Sequence, residues 1–163
     1  MTRHIAAGAT LLVLFTTATL AAAPEIRLTP GEIGTQAGHN AGAGTSGIAG
    51  IRTTVLAGDP TKVGLYTIRL NVPAHTQIAA HSHRDDRTAV VISGTWYFGY
   101  GPTSSDSAKK ALPQGSFYSE PGGVAHFAET KDEAVVVYIT GYGPTDTTYI
   151  NPAEDPRRNN SVR

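Results

Sequence analysis

The sequence predicts an all-β domain, a β-sandwich or barrel, on three observations. Short runs such as Leu65-Tyr66-Thr67-Ile68-Arg69-Leu70-Asn71-Val72 and Val135-Val136-Val137-Tyr138-Ile139 have the length and β-former content of strands. Eighteen glycines and ten prolines punctuate the 163 residues, favouring turns over long helices. No segment carries a convincing helical period, and no internal repeat is evident, which points to one domain.

Before that domain lie two other segments. Met1-Thr2-Arg3-His4 is a short basic start, residues 5–20 are apolar but diluted by threonine, and Ala21-Ala22-Ala23 offers small residues for cleavage. Residues 1–23 therefore read as a secretory signal peptide. A membrane span would need roughly 20 apolar residues. The expected location is periplasmic or secreted, with no stable membrane insertion after cleavage. Residues 24–50 form a leader rich in small residues around Gly38 to Gly47, expected to be a flexible linker or a loosely docked arm.

The packed domain is expected over residues 51–150. Residues 52–56 make a first strand, and Gly58-Asp59-Pro60 turns the chain. Residues 65–72 alternate as a second strand, Pro73-Ala74-His75-Thr76 is a turn, and 77–83 is the third. Arg84-Asp85-Asp86 turns, 87–93 is the fourth, Gly94 breaks it and 95–100 resumes. Residues 101–114 read as a polar loop with a helical turn at 107–111. Short strands follow at 116–120 and 125–129, separated by Pro121-Gly122-Gly123. An apolar strand covers 134–140, a short edge strand 147–150, and residues 151–163 are a polar tail.

Composition excludes some functions. Thirteen basic residues balance thirteen acidic ones; loss of Arg3 with the signal leaves 12 against 13, or −1. Nucleic-acid binding and polybasic membrane binding have no support. Cysteine is absent, so disulfides and thiol ligands are excluded. No nucleophile triad, phosphate loop or paired catalytic carboxylates are present.

What remains is histidine. His81 and His83 are one residue apart, so on a strand both side chains share a face. His126 follows Pro121-Gly122-Gly123-Val124-Ala125. Three imidazoles within a β-fold suit a divalent transition metal. Fe, Zn, Mn, Ni and Cu all stay open as identities. His39 and His75 read as loop and turn residues, His75 in a position where histidine tolerates positive φ.

These residues resemble the cupin family, whose fold is a double-stranded β-helix of the jelly-roll type. The first cupin motif runs Gly, five residues, His, one residue, His, three or four residues, Glu, six residues, Gly. His81, His83 and Gly94 fit it, but His75 stands at the first glycine and Arg87 at the glutamate. The second runs Gly, five residues, Pro, one residue, Gly, two residues, His, three residues, Asn. Gly115, Pro121, Gly123 and His126 fit, and Thr130 replaces the asparagine. The match spans residues 75–130.

The resemblance implies a jelly-roll barrel with His81, His83 and His126 as metal ligands, and a homodimer. Arg87 cannot ligate a cation, because guanidinium keeps its proton and has no acceptor. It either binds an anionic substrate group beside the metal or has moved outward to pair with Asp85, Asp86 or Glu120; Asp85 and Asp86 are also candidate fourth ligands. Tyr97 and Tyr118 are candidate phenol donors. Three-histidine cupins include thiol and diketone dioxygenases. The expected function is thus an exported metal-binding cupin, with a dioxygenase-like metalloenzyme acting on a small organic molecule as its sharper form. Non-catalytic binding or sensing of a small ligand or metal is the alternative, and a decayed, purely structural site a third.

Overall fold

In a computed structural model, residues 24–39 and 42–158 are described. Residues 1–23, expected as a signal peptide, and the last part of the tail, 159–163, lie outside the described residues. Ten strands form two five-stranded antiparallel sheets. In chain order they are β1 (Arg52–Ala57), β2 (Gly64–Val72), β3 (Gln77–Ser82), β4 (Arg87–Ser93), β5 (Trp96–Tyr100), β6 (Lys109–Leu112), β7 (Phe117–Glu120), β8 (His126–Glu129), β9 (Val135–Gly143) and β10 (Thr148–Tyr149). One sheet is ordered β1-β2-β9-β4-β7 and the other β10-β3-β8-β5-β6. This is a jelly-roll sandwich.

Alternation builds the core. On β2, Tyr66, Ile68, Leu70 and Val72 are buried, and on β9 Val135, Val137 and Ile139 join them. Ile78, Trp96, Phe98 and Ala128 meet them from the other sheet. Each such apolar side chain contributes about 1.5–3 kcal/mol by leaving water.

On β3 the alternation breaks. Ile78 pairs with Ala128 but His81 with His126, so the register slips by one between them. Ile78 and His81 are three residues apart and would point to opposite faces of a regular strand. The bulge brings both inward, a re-aiming typical of bulges beside functional sites.

Two regions differ from expectation. β6 lies inside the segment expected as a polar loop, preceded by a single 3-10 turn, Asp106–Ala108. Its sequence Lys-Lys-Ala-Leu has little β preference, and pairing with β5 supplies the conformation instead. The leader is also more ordered than its composition suggests. It contains a short helix, α1 (Pro30–Thr35), closed by a capping box between Thr29 and Glu32. His39 exchanges two backbone hydrogen bonds with Thr53 at the β1 edge (2.7 and 2.8 Å). Thr45 and Ser46 are buried. Among the described residues no helix is long and apolar enough to cross a membrane.

Candidate metal centre

The bulge on β3 and the start of β8 set two histidines side by side. His81 and His126 are cross-strand partners, with ring centroids 4.4 Å apart. His83 follows β3 by one residue and faces the same way, 5.0 Å from His81 and 5.1 Å from His126. All three are buried, and each offers a nitrogen such that the three lie within 4.8 Å of one another.

Backbone carbonyls fix the tautomers. Nδ1 of His81 meets the Ala79 carbonyl at 2.8 Å, Nδ1 of His126 that of Val124 at 3.1 Å, and Nδ1 of His83 that of Asp146. A carbonyl can only accept, so each Nδ1 carries the proton and donates it. Each Nε2 is left with its lone pair, and those of His83 and His126 are buried without any partner. A ligating histidine is held in this way, with one ring nitrogen tied to an acceptor and the other free for the ion. Burial, then neighbouring His126, holds His81 down at about 4. Burial and then the Arg87 guanidinium hold His83 low, and burial lowers His126. The rings are therefore neutral near pH 7, the form that binds metal.

Opposite the histidines, on the other sheet, Arg87 of β4 and Glu120 of β7 are cross-strand partners. Both are buried. Glu120 Oε2 accepts from Arg87 Nε at 2.6 Å and also from Nη2. The same oxygen lies 3.8 Å from His83 Nε2 and 3.9 Å from His126 Nε2. Burial, the largest influence, pushes the Glu120 carboxyl up, but Arg87 together with the neighbouring His126 and His81 outweighs it and the net shift is downward.

A solved RmlC-like cupin from Shewanella frigidimarina shares this architecture, with a TM-score of 0.51 and 16% identity over 67% of this chain and 85% of that one. The chain has the cupin fold. A cupin-like protein from Thermotoga maritima aligns similarly, with a TM-score of 0.50 and 15% identity over 66% of this chain and 83% of that one. No family model matches the sequence, and no curated protein does either.

Within this fold the residues expected at the site are placed unequally. His81, His83 and His126 converge. Arg87 pairs with Glu120, one of its three candidate partners, but it does so inward and buried, not turned outward as that pairing was expected to be, because Glu120 faces it on the inner side of the adjacent strand. Asp85 and Asp86 are committed elsewhere. Asp85 Oδ2 accepts from the Tyr66 hydroxyl at 2.7 Å, and Asp86 caps the Gly122 amide at 2.8 Å. Gly141 on β9 makes room for the first of these, since a Cβ there would sit 2.6 Å from both oxygens. His75 does occupy a positive φ, 56°.

The two tyrosines part company. Tyr118 is buried on the same face of β7 as Glu120, and its hydroxyl has no hydrogen-bond partner. Burial, then Glu120, raises its pKa well above the ordinary value, so it stays a proton donor. Tyr97 faces the opposite way from the buried Trp96 and Phe98, and its ring lies under the Lys131 ammonium at 4.3 Å. Strand alternation takes Tyr97 away from the histidines, so the structure does not bring it to the site.

Sequence reasoning did not see Glu120 as a site residue, nor Trp96, whose buried indole N–H also lacks a partner. The period-two spacing of Tyr118 and Glu120 was the available signal. His81, His126, Glu120, Arg87, Tyr118 and Trp96 border a cavity of about 30 Å³, room for a water or two. Its remaining walls are largely apolar, among them Leu70, Ile78, Phe98 and Ile139.

The leader closes one side of this cavity. Gly44 and Ser46 line it. The Gly44 carbonyl accepts from Arg87 Nη1 at 2.7 Å and the Ser46 carbonyl from the Tyr149 hydroxyl at 2.7 Å. Gly44 has φ +70°, and a Cβ there would fall 2.5 Å from the Thr145 methyl, so the close approach needs glycine.

Proposed function

We propose that this protein is an exported metalloenzyme in which His81, His83 and His126 hold one divalent transition metal and a small organic molecule reacts beside it, in an oxygenase-type reaction. The observation that carries the reading is the orientation of the imidazoles: each Nδ1 is tied to a carbonyl and each Nε2 lone pair is left for a cation. Export follows from the basic start, apolar run and small residues of the first 23 positions, and a homodimer from the cupin resemblance.

The metal would supply Lewis acidity and, if redox-active, oxygen activation. The chain's own residues do the rest. The Tyr118 hydroxyl and Trp96 indole N–H are two buried donors near each other and near Glu120, with no partner at hydrogen-bond distance, and are suited to hydrogen-bond an oxygen of a bound molecule. Arg87 holds Glu120 in place. The apolar walls exclude bulk water and strengthen each of these contacts.

Metal analysis of protein from its own host, followed by oxygen uptake with thiols, diketones and phenols, tests the proposal. Expected are a bound transition metal and oxygen consumption with one class. A metal-free protein that consumes no oxygen ends it.

One observation favours a second reading. The cavity is small, and Arg87 is fastened to the leader at Gly44. A non-catalytic module that holds a metal or a very small ligand fits that closure. A ligand that stabilises the protein strongly against heat and is recovered unchanged would support it.

A further inference from the structure

The pocket behind the three histidines contains a fourth acceptor. Glu120 Oε2 stands 3.8 and 3.9 Å from the Nε2 atoms of His83 and His126. With each Nδ1 carrying the ring proton, no hydrogen lies between these nitrogens and the carboxylate. Lone pairs therefore face lone pairs in a buried space. Such an arrangement is unfavourable alone and favourable around a cation. Arg87, from β4, pairs with this same Oε2 through Nε and Nη2 and lines the same cavity as Glu120, His81 and His126.

We propose that Glu120 is the fourth donor of the metal centre, a carboxylate supplied from β7 in place of the one that position 87 has given up to arginine. The inference rests on the three-histidine reading and extends it. Arg87 and Glu120 sit directly across from each other on adjacent strands. A carboxylate moved from one to the other stays on the inward face, one strand spacing away, about 4.8 Å. Arg87 then acts as a positioning residue: it fixes the carboxylate without touching the metal. Asp85 is held through Oδ2 by Tyr66, its Oδ1 staying unpartnered, and Asp86 by the Gly122 amide; neither is grouped with the three imidazoles.

The test uses the full chain, stripped of metal and titrated with Zn²⁺ and Co²⁺, as wild type, E120Q and H126A. Loss of an outer partner of a ligand costs about 10–100-fold in affinity. The expected result is a loss beyond about 100-fold in E120Q, with a changed Co²⁺ visible spectrum. E120Q that binds within about 100-fold of wild type with an unchanged spectrum, while H126A loses binding, overturns the fourth-donor role alone. H126A that binds like wild type overturns the three-histidine reading and this inference with it. Should E120Q not fold, X-ray absorption at the zinc edge of the wild-type protein decides. One carboxylate oxygen at roughly 2.0–2.2 Å beside imidazole nitrogens is expected, and a shell without it overturns the proposal.

Discussion

Two carboxylate–cation pairs are sunk into the sheets of this molecule, and they do different things. Lys109 on β6 reaches Glu129 on β8 at 2.6 Å and also Asp106 at 2.8 Å. Asp106 is 97% exposed, so that pair opens onto water. Arg87 and Glu120 stand between the two sheets, and beside them lie two imidazole nitrogens with no partner. Arg87 and Glu120 join the adjacent strands β4 and β7, whereas Lys109 and Glu129 reach across β5 to join β6 and β8. Only the Arg87 pair leaves acceptors pointing at one another. Burial of charge alone therefore does not mark a site; the unpartnered lone pairs next to it do.

The largest expected effect breaks the inner pair. Replacing Arg87 by Met leaves the Glu120 charge buried without compensation, which costs about 3–5 kcal/mol. Urea unfolding of metal-free wild type and R87M measures it, and a loss near zero would mean that Glu120 takes up a proton or reaches water. Next comes pH. His81 sits at about 4 in the fold, against about 6.5 unfolded. A depressed folded value means that its stability contribution is complete above pH 6.5 and is lost as pH falls toward 4. The shift corresponds to roughly 3 kcal/mol. His83 and His126 act in the same direction. Urea titrations of metal-free protein between pH 7 and 4.5 should show the decline, and a flat profile would contradict the neutral, buried histidine cluster. Smallest is the outer pair. K109M should cost about 1 kcal/mol or less, because Lys109 and its partners border solvent. A loss as large as that of R87M would erase the distinction between the two pairs.

The histidines were legible because strand periodicity and the cupin spacing carry them: His81 and His83 share a face by alternation, and Gly115, Pro121, Gly123 and His126 keep their intervals. The bulge that sends both Ile78 and His81 inward has no comparable signature. Glu120 was hidden because its meaning depends on lying opposite Arg87, 33 positions earlier, and strand register is a tertiary fact. Tyr97 and Tyr118 illustrate the same limit. Alternation says that neighbours on a strand face opposite ways, but not which way is inward. β6 escaped because pairing overrode weak propensity. A docked leader was among the readings of the sequence, but where it docks was not, because it does so through the carbonyls of Gly44 and Ser46, which no side-chain pattern records.

That docking bears on how the protein is best produced. A shortened version begun at Ile51, where the packed strands seemed to start, would delete the carbonyls that receive Arg87 and Tyr149. Both donors would lose their acceptors at once, and the guanidinium that steadies Glu120 would be freed on one side. Affinity tags and protease sites belong upstream of the leader or at the far terminus. Trimming that looks harmless on paper would reach the middle of the barrel within two hydrogen bonds.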